Sequence, residues 1–308
     1  MMATRIYAGQ RLGQSRELRN LRNGLLFISP WIVGFLVFAL YPMIQALYYS
    51  FTDFAGLIRK PVWIGLENFA TMVRDDTLFL RVVKNTLFLV FFGGTLVLLI
   101  TLTIAILLNH KTLRKIAGFR VIFFLPTLVP SIVLCILWLW LFNVDSGLIN
   151  SVLKIFGIRG PGWLQSLAWS KPALAIMRLW CAGNLIIIFL GGLQDISPEL
   201  YEAVEVDGGN FWHKTFHVTL PSLRPIILFN IISTINGLMQ MFVEPLTMTR
   251  SGQPMDMTYT YALYIYNNAF KYSKMGYASA LSWVMLIITL ALTFVALKCG
   301  GFFEERAD

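Results

Sequence analysis

Long runs without a charged residue recur along this chain. The clearest of them cover residues 23–52, 85–110, 121–144 and 275–297. A helix needs about 20 apolar residues to cross the roughly 30 Å hydrocarbon core of a bilayer, so each of these runs is long enough to span it. Two weaker runs cover residues 172–194, which include Arg178, and residues 225–243. The pattern predicts an all-α, polytopic integral membrane protein with six transmembrane helices.

Composition supports a membrane location. Hydrophobic residues make up 57% of the 308 residues and charged residues only 13%, which lies outside the usual range of soluble domains. The first apolar run is too long for a signal peptide and no cleavage site of small residues follows it, so we expect a retained first span. The three cysteines, Cys135, Cys181 and Cys299, have no disulfide or metal-binding spacing.

Basic residues predict the orientation, because lysine and arginine in short flanks stay on the cytoplasmic side. The loop after the second span contains Lys111, Arg114 and Lys115, and the N-terminal tail contains Arg5, Arg11, Arg16, Arg19 and Arg22. We therefore predict a cytoplasmic tail over residues 1–23, a six-helix membrane domain over residues 24–298, and a second cytoplasmic tail over residues 299–308. The loop formed by residues 194–222 is then also cytoplasmic.

This loop has the wrong charge for a membrane surface. In a chain of net charge +9, residues 194–217 hold one lysine and five carboxylates: Asp195, Glu199, Glu202, Glu205 and Asp207. Ser197 is a predicted N-cap, Pro198 suits the first helical position, and Gly208 and Gly209 are predicted to end the helix with left-handed geometry. A helix of about ten residues is marginal alone, and its acids do not suit an anionic leaflet. We predict that a protein groove receives it.

The same loop carries a family resemblance. Glu202-Ala203, Asp207-Gly208 and the closing Leu220-Pro221 resemble the Glu-Ala-Ala loop of permease subunits in bacterial binding-protein-dependent ATP-binding-cassette (ABC) importers. Val204 and Gly209 depart from the commonest pattern, in which a third small residue and an alanine are usual. Further motifs across residues 24–298 are similar to the sugar-type branch, which includes maltose and glycerol-3-phosphate permeases: Tyr41-Pro42, residues 50–54, residues 65–69, Phe124-Leu125-Pro126, residues 147–150 and Gly276-Tyr277-Ala278.

The resemblance implies a type I ABC importer fold in the cytoplasmic (inner) membrane, forming half of an alternating-access pathway for a carbohydrate. The implied partners are a second permease, usually a different one, two ATPase subunits and an external solute-binding protein, with no nucleic acid. This chain has no phosphate-binding Gly-rich motif, so ATP and Mg²⁺ are expected in the ATPases and no cofactor in this chain. The predicted coupling residues are Glu199, Glu202, Ala203, Glu205, Asp207, Gly208, Gly209 and Pro221.

The fifth span carries the clearest substrate signal. Lipid cannot satisfy polar side chains, so a polar arc on a membrane helix faces a pore or another helix. Such an arc, about 120° wide at helical spacing, predicts a wall of the substrate pathway formed by Asn230, Ser233, Thr234, Gly237, Gln240 and Met241, to which we add Asn184 of the fourth span. Adhesion between helices is the alternative, and it explains the small members of the arc equally well.

Two charged residues accompany these spans. We expect Arg178 to extend to the outer interface and Glu244, before Pro245, to lie in water. The alternative function is a secondary transporter or channel, which needs intramembrane ionisable pairs or matched discontinuous helices. An intramembrane enzyme needs a nucleophile–base or metal constellation. We identify none of these features in the sequence, and the sugar and the identity of the second permease stay open.

Overall fold

The computed structural model describes residues 20–56, 59–109, 116–250 and 252–301. Four of the arginines that predicted the orientation, at positions 5, 11, 16 and 19, lie outside the described residues, as do Lys111, Arg114 and Lys115. Most of the predicted C-terminal tail, residues 302–308, also lies outside them. The orientation of the chain in the membrane therefore stays a prediction.

The first half of the chain contains two long helices joined by a small ribbon. Helix α1 (Asn20–Ser50) leads into strands β1 (Thr52–Asp53) and β2 (Val62–Trp63), which pair antiparallel with Thr52 opposite Trp63. Helix α2 (Glu67–Arg74) and the long helix α3 (Phe79–Leu108) follow. Each long helix contains one π-helical segment, at Leu36–Leu40 and Leu89–Gly93.

The middle of the chain contains five shorter helices. They are α4 (Ile116–Phe124), which continues into a 3₁₀ turn (Leu125–Leu128), α5 (Ser131–Leu141), α6 (Leu148–Ile155), α7 (Ser170–Trp180) and α8 (Gly183–Gln194).

The last third begins with two helices outside the spans, α9 (Pro198–Val206) and α10, which runs through Phe211–Lys214, Thr215–Thr219 and Leu220–Ser222. Helices α11 (Arg224–Met239) and α12 (Val243–Met248) follow one another along one span. Helix α13 (Tyr261–Tyr266, continued by Asn267–Lys271) precedes the final helix α14 (Met275–Cys299). We call the end of the bundle with α9 and α10 the loop end, and the opposite end the far end.

Within the described residues, six candidate spans result if each bent pair is counted as one. Four are Asn20–Ser50, Phe79–Leu108, Arg224–Met248 and Met275–Cys299, and the two pairs are α4 with α5 and α7 with α8, bent by 100° and 50°. The count agrees with the sequence prediction. The third span, predicted over residues 121–144, is formed by the bent pair α4 and α5. Val129 is extended (φ −80°, ψ 131°) because Pro130 follows it, and the chain turns there.

Three hydrophobic clusters join the spans. The first joins α3, α5, α7 and α11 and includes Trp138 and Met239. The second lies at the far end around Tyr261, and the third lies near the loop end around Phe189 and Leu223. In contrast, the most apolar stretch of α1 contains no buried residue, although every residue of that helix is described.

Candidate functional site

Helix α9 begins and ends as the sequence predicts. Ser197 caps it by accepting a hydrogen bond from the backbone N–H of Glu199 at 3.4 Å, and Pro198 occupies the first turn. After Val206 the chain reverses at Gly208, whose φ of +75° is a left-handed conformation that favours glycine. The beginning and the end of α9 could therefore be derived from residue types alone.

Gly209 has a different role from the one predicted. It is absent from the residues with positive φ that the structure describes, so it does not share the left-handed geometry of Gly208. Its N–H donates to the carbonyl oxygen of Val204 at 2.8 Å, and a Cβ at this position would lie 2.4 Å from Cγ1 of Val204 and 2.8 Å from its carbonyl oxygen. The valine therefore fills the space that an alanine methyl would need. The two departures from the commonest family pattern fit each other.

Helices α9 and α10 form one projecting unit. The hydroxyl groups of Tyr201 and Thr219 are hydrogen-bonded at 3.1 Å, and Lys214 of α10 pairs with Glu205 of α9. Asn210 caps α10 by accepting from the N–H of His213 at 3.1 Å. Pro221 lies in the final turn of α10 and is exposed, immediately before α11.

The outer surface of this unit combines acids with large apolar side chains. Within α9, all of whose residues are described, none is buried, and Glu199, Glu202 and Ala203 are exposed together with Asp207 after the helix. The apolar members of the surface are Leu200, Val206, Phe211, Trp212 and Phe216, of which Val206 is 88% exposed. A group of exposed apolar side chains of this kind suits a contact with a protein or a membrane better than a solvated face.

The polar arc of the fifth span is divided between two environments. Asn230 and Met241 are buried, at 0% and 2% exposure, and Thr234 packs against α3, where a Cβ on Gly94 would lie 3.2 Å from its methyl group. The exposed members are Ser233, Gly237 and Gln240. Asn184, at the beginning of α8, is exposed as well. The structure thus separates an exposed face from a packed face within the predicted arc.

The packed face contains polar atoms that the chain does not satisfy. Among the described residues, neither Oδ1 nor Nδ2 of Asn230 has a hydrogen-bond partner, and neither has Oγ1 of Thr234. Leaving such buried groups unbonded costs about 1–3 kcal/mol each. The contact between Thr234 and α3 is therefore a packing contact, and it leaves the Thr234 hydroxyl group without a hydrogen bond.

Arg178 and Glu244 form an ion pair that the sequence analysis missed. Nη2 of Arg178 donates to the carbonyl oxygen of Gly237 at 2.8 Å, and its Nη1 lies 3.5 Å from Oε1 of Glu244. Glu244 is buried, at 7% exposure, so both expectations for these residues are wrong. In the sequence, Glu244 follows Gly237 at a helical spacing, but this spacing does not identify Arg178 as its partner.

The far end is held by a second polar network. Oδ1 of Asp76 accepts from the backbone N–H groups of Leu78 and Phe79 at 2.9 and 3.0 Å. Its Oδ2 accepts from the hydroxyl groups of Tyr264, at 2.5 Å, and Tyr277. Burial, and then the bond to Asp76, raise the pKa of Tyr264 above its ordinary value. The residues of this network keep α3, α13 and α14 together. Of the three side chains, the sequence motifs included only Tyr277, and without this role.

Several known proteins are similar to this chain along most of its length. Residues 98–307 match the family described as binding-protein-dependent transport system inner membrane component. The probable ABC transporter permease protein YesP of Bacillus subtilis (strain 168) is 38% identical, with 94% of each chain covered. The lactose transport system permease protein LacF of Rhizobium radiobacter is 34% identical, covering 89% of this chain and 92% of LacF.

The fold also matches a solved structure, that of a bacterial ABC transporter involved in the import of the acidic polysaccharide alginate. The TM-score is 0.79 at 23% identity, over 92% of this chain and 98% of the alginate transporter chain. This likeness bears on the fold alone. Since the family model covers more than half of the residues and relatives above 30% identity align along nearly all of them, this chain belongs to the family of inner membrane components of binding-protein-dependent transport systems.

Proposed function

We propose that this chain is the permease subunit of an ATP-driven ABC importer and forms half of the pathway for a carbohydrate. The observation that carries the proposal is its similarity along most of its length to permeases named for sugars. Besides LacF, these include the arabinooligosaccharide permease AraP of Bacillus subtilis (strain 168), which is 31% identical over 91% of this chain. The family consists of transport components, so the chain is not an enzyme.

The partners in this proposal are a second permease, two ATPase subunits that bind ATP and Mg²⁺, and a solute-binding protein. The α9–α10 unit supports the ATPase contact, because it projects acids and apolar side chains from the loop end. A cytoplasmic ATPase needs this end to face the cytoplasm, which agrees with the orientation predicted from the basic residues. The solute-binding protein then docks at the far end.

The pathway wall in this proposal is the exposed face of α11. Ser233, Gly237 and Gln240 lie along it at steps of four and three residues, and Asn184 is exposed on α8. Amide and hydroxyl groups of this kind donate to and accept from sugar hydroxyl groups. A single permease leaves this face open because the second permease supplies the opposite wall.

The test is reconstitution of this chain with its ATPase and second permease in liposomes. We expect ATP-dependent sugar uptake in the presence of a solute-binding protein. The transported sugar is identified by screening candidate sugars for stimulation of ATP hydrolysis. An ionophore that collapses proton and sodium gradients should leave uptake unchanged. Uptake that needs an ion gradient but no ATP would contradict the proposal and favour the secondary transporter, for which Arg178 and Glu244 would be the ionisable pair.

A further inference from the structure

The Arg178–Glu244 pair lies inside the membrane domain at two interruptions of its helices. Arg178 is eight residues into α7, about 12 Å along its axis from Ser170. Glu244 is four residues from the end of the span Arg224–Met248, about 6 Å from that end. Arg178 precedes the bend between α7 and α8, and Glu244 follows the interruption between α11 and α12. The pair thus joins two spans in the half of the bundle nearer the far end.

The guanidinium group lies on the exposed face of α11. It contacts the backbone at Gly237, where a side chain would come within 3.8 Å of Nη2, and Gly237 is itself exposed between Ser233 and Gln240. The Arg178 side chain keeps 32% exposure, whereas that of Glu244 keeps 9%. Arg178 therefore reaches the proposed pathway wall, and Glu244 is buried behind it.

Arg178 has hydrogen-bonding capacity beyond these two contacts. A guanidinium group has five N–H donors in a fixed plane. One Nη2 N–H bonds to the Gly237 carbonyl, and the 3.5 Å separation of Nη1 from Glu244 is longer than a good charged hydrogen bond. Nε is buried without a partner among the described residues, so the donor capacity left for a solute belongs to the two terminal nitrogens. Donor groups therefore remain for an acceptor oxygen in the pathway, and sugar hydroxyl groups supply such acceptors.

The charge of Glu244 affects which solutes the N–H donors of Arg178 attract. An isolated cation in a site of low dielectric attracts anions strongly, and a carboxylate about 4 Å away opposes that attraction. The helices that carry the pair, α7 and α12, both contribute to the apolar first cluster, and Glu244 is buried, so screening by solvent is weak around its carboxylate. The pair therefore offers hydrogen-bond donors to a solute, while its two charges sum to zero.

We propose that the Arg178–Glu244 pair sets the charge selectivity of the translocation pathway. Arg178 donates to the hydroxyl groups of an uncharged sugar, while Glu244 cancels the positive charge that would otherwise favour sugars bearing a carboxylate. This inference rests on the proposed function, because it needs a sugar in the pathway. It assigns the two residues a shared role in specificity, with Glu244 as the positioning residue behind Arg178.

The test measures equilibrium sugar binding by the complete importer in nanodiscs, held with vanadate and without solute-binding protein. Omitting that protein removes its own preference from the measurement. The probes are a panel of neutral disaccharides and the corresponding disaccharides with one uronic acid, and the quantity is the ratio of acidic to neutral affinity. Glu244→Gln should raise this ratio about tenfold, because Arg178 loses its compensating charge. Arg178→Gln should lower it, because Glu244 is then the uncompensated charge.

The double variant Arg178→Gln/Glu244→Gln removes both charges and should return the ratio to within about twofold of the wild type. The double variant also keeps the inference testable if a single variant fails to assemble, because it leaves no unpaired charge buried in the protein. The matched control is Asp256→Asn, because Asp256 also lies 3.5 Å from an arginine, Arg81, but at the far end and away from α11. Its ratio should equal that of the wild type.

Equal ratios in the wild type, both single variants and the double variant would overturn the inference and leave the pair as a structural link between spans. Equal shifts in the Asp256→Asn control would also overturn it, because the effect would then be general. Failure of the wild type to bind any sugar in the panel, together with failure of ATP-dependent uptake, would count against the proposed function instead.

Discussion

At the scale of single residues, Val204 and Gly209 make a direct prediction about the α9–α10 turn. Gly209→Ala should impair the loop, because the new Cβ would lie 2.4 Å from Cγ1 of Val204. Overpacking of this kind costs about 1–3 kcal/mol. We expect weaker association with the ATPase subunit and lower sugar-stimulated ATP hydrolysis. The double variant Val204→Ala/Gly209→Ala removes the side-chain contact but leaves the Cβ 2.8 Å from the carbonyl oxygen of residue 204, so it should recover part of both. Recovery no better than the single variant would contradict the side-chain explanation.

Asp76 makes a second prediction at this scale. Asp76→Ala removes four hydrogen bonds, two to backbone N–H groups and two from tyrosine hydroxyl groups. Bonds to a charged group contribute about 1.5–3 kcal/mol each, so the loss should lower the melting temperature of the purified protein by several degrees. Ser29→Ala is the control, since its hydroxyl group bonds only within α1. A matching decrease in the control would contradict the assignment.

Tyrosines at the far end predict a dependence on pH. The pKa of Tyr264 is raised by burial and by its bond to Asp76, and burial raises that of Tyr259 to about 12. A raised pKa means that the neutral phenol is favoured in the folded state, so its stabilisation is complete below the ordinary tyrosine pKa of about 10 and lost as pH rises through the folded value. Thermal stability should therefore fall from about pH 10 upwards, and less so in Tyr264→Phe.

At the scale of elements, α9 is expected to transmit ATPase closure. Glu202→Lys reverses an exposed charge in the middle of the helix and should abolish uptake, while the spans still assemble. Asp195→Lys is the matched control, because Asp195 is an exposed acid of the same loop that lies before α9. Uptake lost equally in both variants would indicate a general effect of loop charge, and normal uptake in Glu202→Lys would remove the coupling role.

The structure of α11 allows a direct test of whether this helix lines the substrate pathway or only packs against other helices. Gln240→Ala should reduce sugar affinity without lowering basal ATP hydrolysis, because Gln240 is exposed on the proposed wall. Asn236→Ala, the control on the same helix, removes an amide that bonds to the Ile232 carbonyl at 3.0 Å. If both variants change affinity alike, α11 contributes by packing and its exposed face is not the wall.

The structure of the elements was predictable where local chemistry decides it. Ser197, Pro198 and Gly208 fix the beginning and end of α9 by capping and backbone geometry, and long uncharged runs identify the spans. The 100° bend at Pro130 was not predicted, because a hydropathy pattern alone does not register the effect of a proline on the backbone. The Arg178–Glu244 pair was missed for another reason. Residues 66 positions apart meet only through the packing of α7 against α11 and α12, and periodicity within one helix cannot show this.

At the scale of the whole molecule, the chain looks like part of a larger assembly. The most apolar stretch of α1 contains no buried residue, although Ser50 at the end of this fully described helix is buried. This uncovered helix suits contact with a second permease or with lipid. We expect the chain purified alone to melt at a lower temperature than the assembled complex. Equal melting temperatures would contradict a stabilising permease interface.

The fit between Val204 and Gly209 also restricts the order in which the two substitutions can arise. A lineage that begins with alanine at both positions has two routes to this loop. Acquiring Val204 first places its Cγ1 against the methyl group at position 209, in a helix turn that is expected to bear mechanical load. Acquiring Gly209 first creates only spare room, which the valine later fills. Selection against a poorly coupled importer should therefore make glycine the earlier change and make its reversal difficult once valine is present.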